Sequence, residues 1–232
     1  MMMPEHVTAA HVIERLEVAL PDANEPTLAF DADGTLWSGD VGCDLFKGAI
    51  ERRIFTDEVL DLFREEARSI GIDDGGDATT LAQRLLDAFW AGTWEDGPAA
   101  VTMALSFVGV TPAALDDLAD ATMAAVGLAD RLHPGVAEII RWAEGRSIRV
   151  QVVSASPIAA VVAAVRGLGI HPDRVLAMRP KVRDDGTLDK SLEGESVYGP
   201  GKVLALERAL PSATLLGAFG DSAGDAFMLR KA

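Results

Sequence analysis

The stretch "LAFDADGTLWSGD", Leu28 to Asp40, decides the fold. An apolar run ends in two aspartates one residue apart, Asp31 and Asp33, followed by Gly34 and Thr35. Neighbouring carboxylates repel each other, and burial drives one of their pKa values up. A strand tip does not carry that arrangement for its own stability. In open α/β sheets, however, ligands bind beyond the carboxyl ends of the strands. The stretch reads as the first strand of such a sheet, delivering acid to a ligand.

Upstream, "HVIERLEVAL" places Val12, Ile13, Leu16 and Leu20 at helical spacing, an amphipathic helix rather than a leader peptide. Downstream, residues 40–130 look entirely helical. "LFKGAIERRIF", "TDEVLDLFREEARSIG", "DATTLAQRLLDAFWAG" and "TPAALDDLADATMAAVG" follow one another. Thr56, Asp77 and Thr111 stand at N-cap positions, and Gly71 and Gly127 where helices stop. From residue 131 strands and helices alternate. "IRVQVVS", "RVLAM" and "ATLLGAF" are strands, "KVRDDGTLDKS" is a hairpin around Asp-Gly, and "HPGVAEIIRWAEG", "PIAAVVAAVRGLG", "GPGKVLALERAL" and "AGDAFMLRKA" are helices. Alternation of this kind predicts a parallel sheet covered by helices. The expected organisation is an α/β core from 1–39 and 131–232, with a helical cap inserted at 40–130. The chain stops at Ala232 beside a helix, where an open sheet often continues, so a last core strand is expected to be missing.

The bulk composition narrows the partners. The chain has 232 residues and a net charge of −15, which disfavours a nucleic-acid or anionic-membrane partner. No apolar run is long enough to span a bilayer. A single cysteine, Cys43, excludes an intrachain disulfide and fits a reducing compartment, so the expected location is the cytoplasm.

Four places in the α/β part bring polar groups to the ligand-binding edge. Asp31 and Asp33 follow the first strand, Ser154 ends "IRVQVVS", Asp221 and Asp225 lie in "GDSAGD", and Lys202 opens the "GPGK" helix. Four converging acids are unstable alone. Mg²⁺, a hard cation taking oxygen ligands, removes the conflict. Lys202 adds a second positive charge, and a phosphate dianion can then sit among carboxylates. Taken singly, Ser154 could cap the following helix and Lys202 could be a solvated surface residue.

The four segments together resemble the haloacid dehalogenase (HAD) superfamily. "DADGT" is similar to its Asp-x-Asp-x-Thr motif, "VVSAS" to its second motif, "GPGK" to its third and "GDSAGD" to its fourth, in the family's order. A helical insertion soon after the first motif resembles a C1 cap, most similar to the phosphoserine phosphatase-like group. The resemblance implies a Rossmann-like core and a Mg²⁺-dependent phosphomonoesterase acting on a small soluble ester. It implies that Asp31 is the nucleophile forming an aspartyl-phosphate and that Asp33 is the general acid and base. Ser154 would bind a phosphoryl oxygen, and Lys202 would neutralise phosphate. Asp31, the Asp33 carbonyl and Asp221 would hold the metal, with Asp225 supporting it. Members that cleave carbon–halogen bonds lack an aspartate at the position of Asp33, so phosphate-ester chemistry is favoured. A phosphotransferase with the same motifs, or an inactive binding protein or fragment, are the competing readings.

For the substrate, Asp40 stands where the phosphoserine phosphatase group has an acid contacting an amino group. It keeps an amine-bearing phosphate ester open. Arg52, Arg53 and Arg64 are candidates to bind a substrate carboxylate. Trp37 is expected at the site entrance, whereas Trp90 and Trp94 read as packing residues, and Cys43 as buried in the cap.

Overall fold

The protein is described by a computed structural model for residues 7–232. Residues 1–6, the start of the expected core segment, lie outside the described residues.

Helix α1 (Ala9–Ala19) is capped by Thr8, whose hydroxyl accepts the His11 N–H. Strand β1 (Thr27–Phe30) is buried from end to end, as its continuous apolar run requires for a strand covered on both faces. The inserted helices follow: α2 (Val41–Arg52), α3 (Leu60–Ser69), α4 (Ala78–Trp90), α5 (Asp96–Leu105) and α6 (Pro112–Ala125). Asp77 and Thr111 cap α4 and α6 through their side chains. Thr56 does not cap. It precedes a 3-10 turn, and its hydroxyl donates instead to the Val108 carbonyl at 2.8 Å. Helix α5 is the element the sequence reading did not separate. It carries Gly97 and Pro98 in its first turn, where proline is tolerated.

The remaining elements alternate as expected: α7 (Pro134–Gly145), β2 (Arg149–Pro157), α8 (Ile158–Val165), β3 (Val175–Met178), the antiparallel pair β4 (Pro180–Val182) and β5 (Leu188–Leu192), α9 (Pro200–Ala209), β6 (Leu215–Phe219) and α10 (Ala226–Lys231). The main sheet is wholly parallel, ordered β3-β2-β1-β6. This is the Rossmann-like α/β architecture.

Strand order matters for the site. The chain builds outward from β1 through β2 to β3, then crosses back to place β6 on the other flank of β1. A crevice opens at such a reversal, outside the carboxyl ends of β1 and β6. Register is fixed there by Phe30, which pairs with Val152 on one side and Phe219 on the other. Its ring stacks on Phe219 at 4.4 Å. Truncating so buried an aromatic costs roughly 3–5 kcal/mol, so Phe30 anchors the strand tip.

A second buried cluster lies in the inserted segment, around Phe46, Phe63, Leu81, Leu85 and Trp94. Cys43 belongs to it. Helix α6 packs elsewhere: Leu115, Leu118 and Met123 join the cluster that includes Leu28, Val161 and Val165 beside the sheet. Among the described residues, no helix is long and apolar enough to cross a membrane.

Candidate active site

Asp31 lies one residue beyond β1, and its N–H donates to the Phe219 carbonyl at 2.8 Å, carrying the ladder one step past the strand. The chain then turns sharply, with the Leu36 N–H on the Ala32 carbonyl at 2.8 Å. Gly34 has φ +75°, and a Cβ there would fall 2.1 Å from Asp221 Oδ2. Glycine is needed twice over: for its backbone, and to admit a carboxylate from the β6 loop.

Lys202 reaches the same point from the first turn of α9. It is buried, with Nζ 2.5 Å from Asp31 Oδ1 and 2.6 Å from Asp225 Oδ1. Asp225 is itself buried, and its second oxygen accepts the Ser222 N–H and hydroxyl at 3.0 and 2.9 Å. Burial works against the Lys202 charge, but Asp31 and Asp225 outweigh it and hold its pKa above the ordinary lysine value. Burial also pushes Asp31 up to about 7; Lys202 opposes the rise and Asp225 adds to it.

Carboxylate oxygens of Asp31, Asp221 and Asp225 lie within 4.8 Å of one another. An all-oxygen, acidic set of this spacing suits a hard divalent cation, which would offset the burial that raises Asp31. Both Asp225 oxygens also accept hydrogen bonds, one from Lys202 and the other from Ser222.

Asp33 points away from that cluster. Its Oδ1 accepts the Trp37 indole N–H at 2.9 Å and the Val41 N–H at 2.7 Å, and its Oδ2 accepts the Ser156 hydroxyl at 2.6 Å. Val41 begins α2, so a helix N-terminus holds this carboxyl. Burial, then Asp40, push Asp33 up to about 7; the Ser156, Val41 and Trp37 donors pull it down. Asp40 caps α2 by accepting the Cys43 N–H at 2.7 Å, and burial raises its pKa as well. Ser154 is buried, and its hydroxyl accepts the Ser156 N–H at 3.0 Å.

These groups share one cavity of about 350 Å³. Its floor comes from Asp31, Asp33, Ser154, Lys202 and Asp221, and its opposite wall from Phe89, Trp90, Asp96 and Met103. A family model for the haloacid dehalogenase-like hydrolases matches residues 28–230. The chain belongs to that family. No curated protein matches it. Solved structures with a similar fold include a protein of unknown function from Bordetella pertussis Tohama I, at 19% identity and a TM-score of 0.64, covering 88% of this chain and 86% of that one. A phosphoserine phosphohydrolase-like protein from Francisella tularensis aligns at 12% identity and a TM-score of 0.54, covering 89% and 82%. An apo phosphoserine phosphatase aligns at 18% identity and a TM-score of 0.52, covering 90% and 84%.

Within this hydrolase fold, Asp31, Asp33, Asp40, Ser154, Lys202 and Asp221 all line the cavity, and Asp225 lies directly behind Lys202. Trp37 corrects the sequence reading. It is fully buried in the cluster beside the sheet and supports Asp33 instead of meeting a ligand. Trp90 corrects it in the opposite sense, being 64% exposed on the cavity wall. None of Arg52, Arg53 and Arg64 lines the cavity, and Arg53 is paired with Asp77. Ser156 was missed, although a signal existed: it lies two residues after Ser154 on β2, and strand period puts both on one face. Tyr198 and Asp96 carried no sequence signal.

Proposed function

We propose that this hydrolase is a Mg²⁺-dependent phosphomonoesterase acting on a small soluble phosphate ester through an aspartyl-phosphate. The observation that supports this reading most is the buried Lys202 held between Asp31 and Asp225. A preorganised positive charge beside a carboxylate, at the bottom of a cavity, is what an in-line phosphoryl transfer needs. Asp31, Asp221 and the Asp33 backbone carbonyl would hold Mg²⁺; bound there, the ion supplies charge neutralisation for phosphate.

Asp31 attacks phosphorus, the bond from phosphorus to the leaving alcohol oxygen breaks, and Asp33 gives that oxygen its proton. Water then attacks phosphorus, Asp33 takes a proton from it, and the Asp31–phosphorus bond breaks to release inorganic phosphate. A carboxyl with pKa near 7 can serve as donor and acceptor in turn at neutral pH. Lys202 and the Ser154 hydroxyl stabilise the phosphoryl oxygens. The inserted segment at 40–130 acts as the cap that closes over the ester. Its separate hydrophobic cluster supports that role, with α6 as the part anchored on the core.

A phosphatase assay with and without chelator tests the reading. Activity should need Mg²⁺ and disappear in Asp31→Asn. Wild-type activity equal to that of Asp31→Asn would overturn the nucleophile assignment.

A further inference from the structure

The wall facing the catalytic floor is acidic and aromatic, and among the described residues it carries no base. Phe89 and Trp90 end α4, Asp96 begins α5, and Tyr198 rises from the loop before α9. Trp90 packs edge-on against Phe89 at 5.4 Å between centroids, yet stays 64% exposed at the cavity mouth. The Tyr198 ring is wedged between α5 and the β6 loop, within 3.2 Å of a Cβ built at Gly97 and 2.9 Å of one at Gly224.

Charge is the second observation. Asp31, Asp33, Asp40, Asp96 and Asp221 line the cavity against one base, Lys202, which Asp31 and Asp225 already share. A divalent ion and Lys202 together would supply three positive charges against these five carboxylates and Asp225 behind Lys202. Among the described residues, neither Asp40 nor Asp96 forms an ion pair. Arg131, whose guanidinium lies against Gly39 at the cavity edge, is committed to Asp44 at 2.6 Å and the Ser38 carbonyl at 2.7 Å. A substrate carboxylate would find no free base here and would meet Asp40 and Asp96. A substrate cation would meet these acids beside the aromatic side chains of Phe89, Trp90 and Tyr198, whose rings attract positive charge.

We infer that this wall is a cation pocket, in which Trp90, Phe89, Tyr198 and Asp96 receive an amino or quaternary ammonium group. The preferred esters are then phosphates of amino alcohols without a carboxylate. The substrate class rests on the phosphatase reading; the cation pocket does not.

Two measurements separate them. The first compares kcat/KM, with Mg²⁺, for choline phosphate, its neutral isostere 3,3-dimethylbutyl phosphate, phosphoethanolamine and phosphoserine. Choline phosphate should exceed the isostere by about tenfold or more, and phosphoethanolamine should exceed phosphoserine by a similar factor. Trp90→Ala and Asp96→Asn should each shrink the choline-to-isostere ratio to within about threefold. Trp90 is exposed, so its removal does not threaten folding. The second follows tryptophan fluorescence of the metal-free protein with tetramethylammonium, which should respond in wild type and not in Trp90→Ala. Equal rates for choline phosphate and the isostere, a preference for phosphoserine, or no Trp90-dependent response would overturn the inference. If no ester is hydrolysed while the Trp90 response persists, the pocket stands and the phosphatase reading falls.

Discussion

The floor and the facing wall of the cavity are built on different principles. The floor is held by buried charge. Lys202 touches two carboxylates, and each oxygen of Asp33 and Asp225 meets a donor. The wall is held by its helices, and the side chains it presents are left open: Trp90 is exposed, and Asp96 forms no ion pair among the described residues. Groups that must act on a transferring phosphoryl need fixed geometry before the ligand arrives. Groups that select the rest of the ester need only be reachable. Substitutions in the floor should therefore act on rate and stability together, and substitutions in the wall on preference between esters.

The sharpest break in that comparison is Lys202→Met. It leaves Asp31 and Asp225 buried and facing each other without a base. Activity should fall about a hundredfold or more. Stability at neutral pH should fall by roughly 3–5 kcal/mol, read from urea melts. Activity within about threefold of wild type would show that the floor does not depend on this charge.

Asp33→Asn sharpens the comparison in the other direction. The folded pKa of Asp33, near 7, lies above its ordinary value of 3.8. The native protein therefore keeps a proton that the unfolded chain releases between about pH 4 and 7, and stability falls as pH rises through that window. The variant removes that loss while leaving an acceptor for Trp37 and Val41. Metal-free Asp33→Asn should match wild type near pH 4.5 and exceed it by about 2–4 kcal/mol at pH 8. A difference that does not change with pH would contradict the assignment. Its activity should be lost even as its stability rises.

Ser156→Ala is a smaller test. Its hydroxyl is one of three donors on Asp33 and pulls the Asp33 pKa down. Without it kcat should fall by about tenfold, and the alkaline limb of the pH–rate profile should move to higher pH. An unshifted limb would mean that Ser156 serves only the β2 terminus.

The same division explains what the sequence made legible. Asp31, Asp221, Asp225 and Lys202 could be brought together because strand ends in an alternating α/β chain converge on one edge. Unpaired acid at a buried strand tip has few other meanings. The wall gave no such signal. Trp37 and Trp90 exchanged their expected places. A loop that doubles back four residues to hydrogen-bond Asp33 buries one indole, and the last residue of a helix lifts the other over the cavity. Neither direction follows from spacing alone. Helix α5, which carries Asp96, was not separated in the sequence, and it opens on a Gly-Pro pair, a poor helix signal. Tyr198 gains its position only when α5 and the β6 loop close on it from two sides.

The central claim is that Asp31 carries the phosphoryl group. Protein quenched with acid during turnover of choline phosphate, then reduced with borohydride, reports the site directly, because reduction of an aspartyl-phosphate leaves homoserine. Peptide mass spectrometry should find homoserine at position 31 and nowhere else, in a Mg²⁺-dependent amount. Turnover with position 31 still aspartate, or with the label at another residue, would contradict the account.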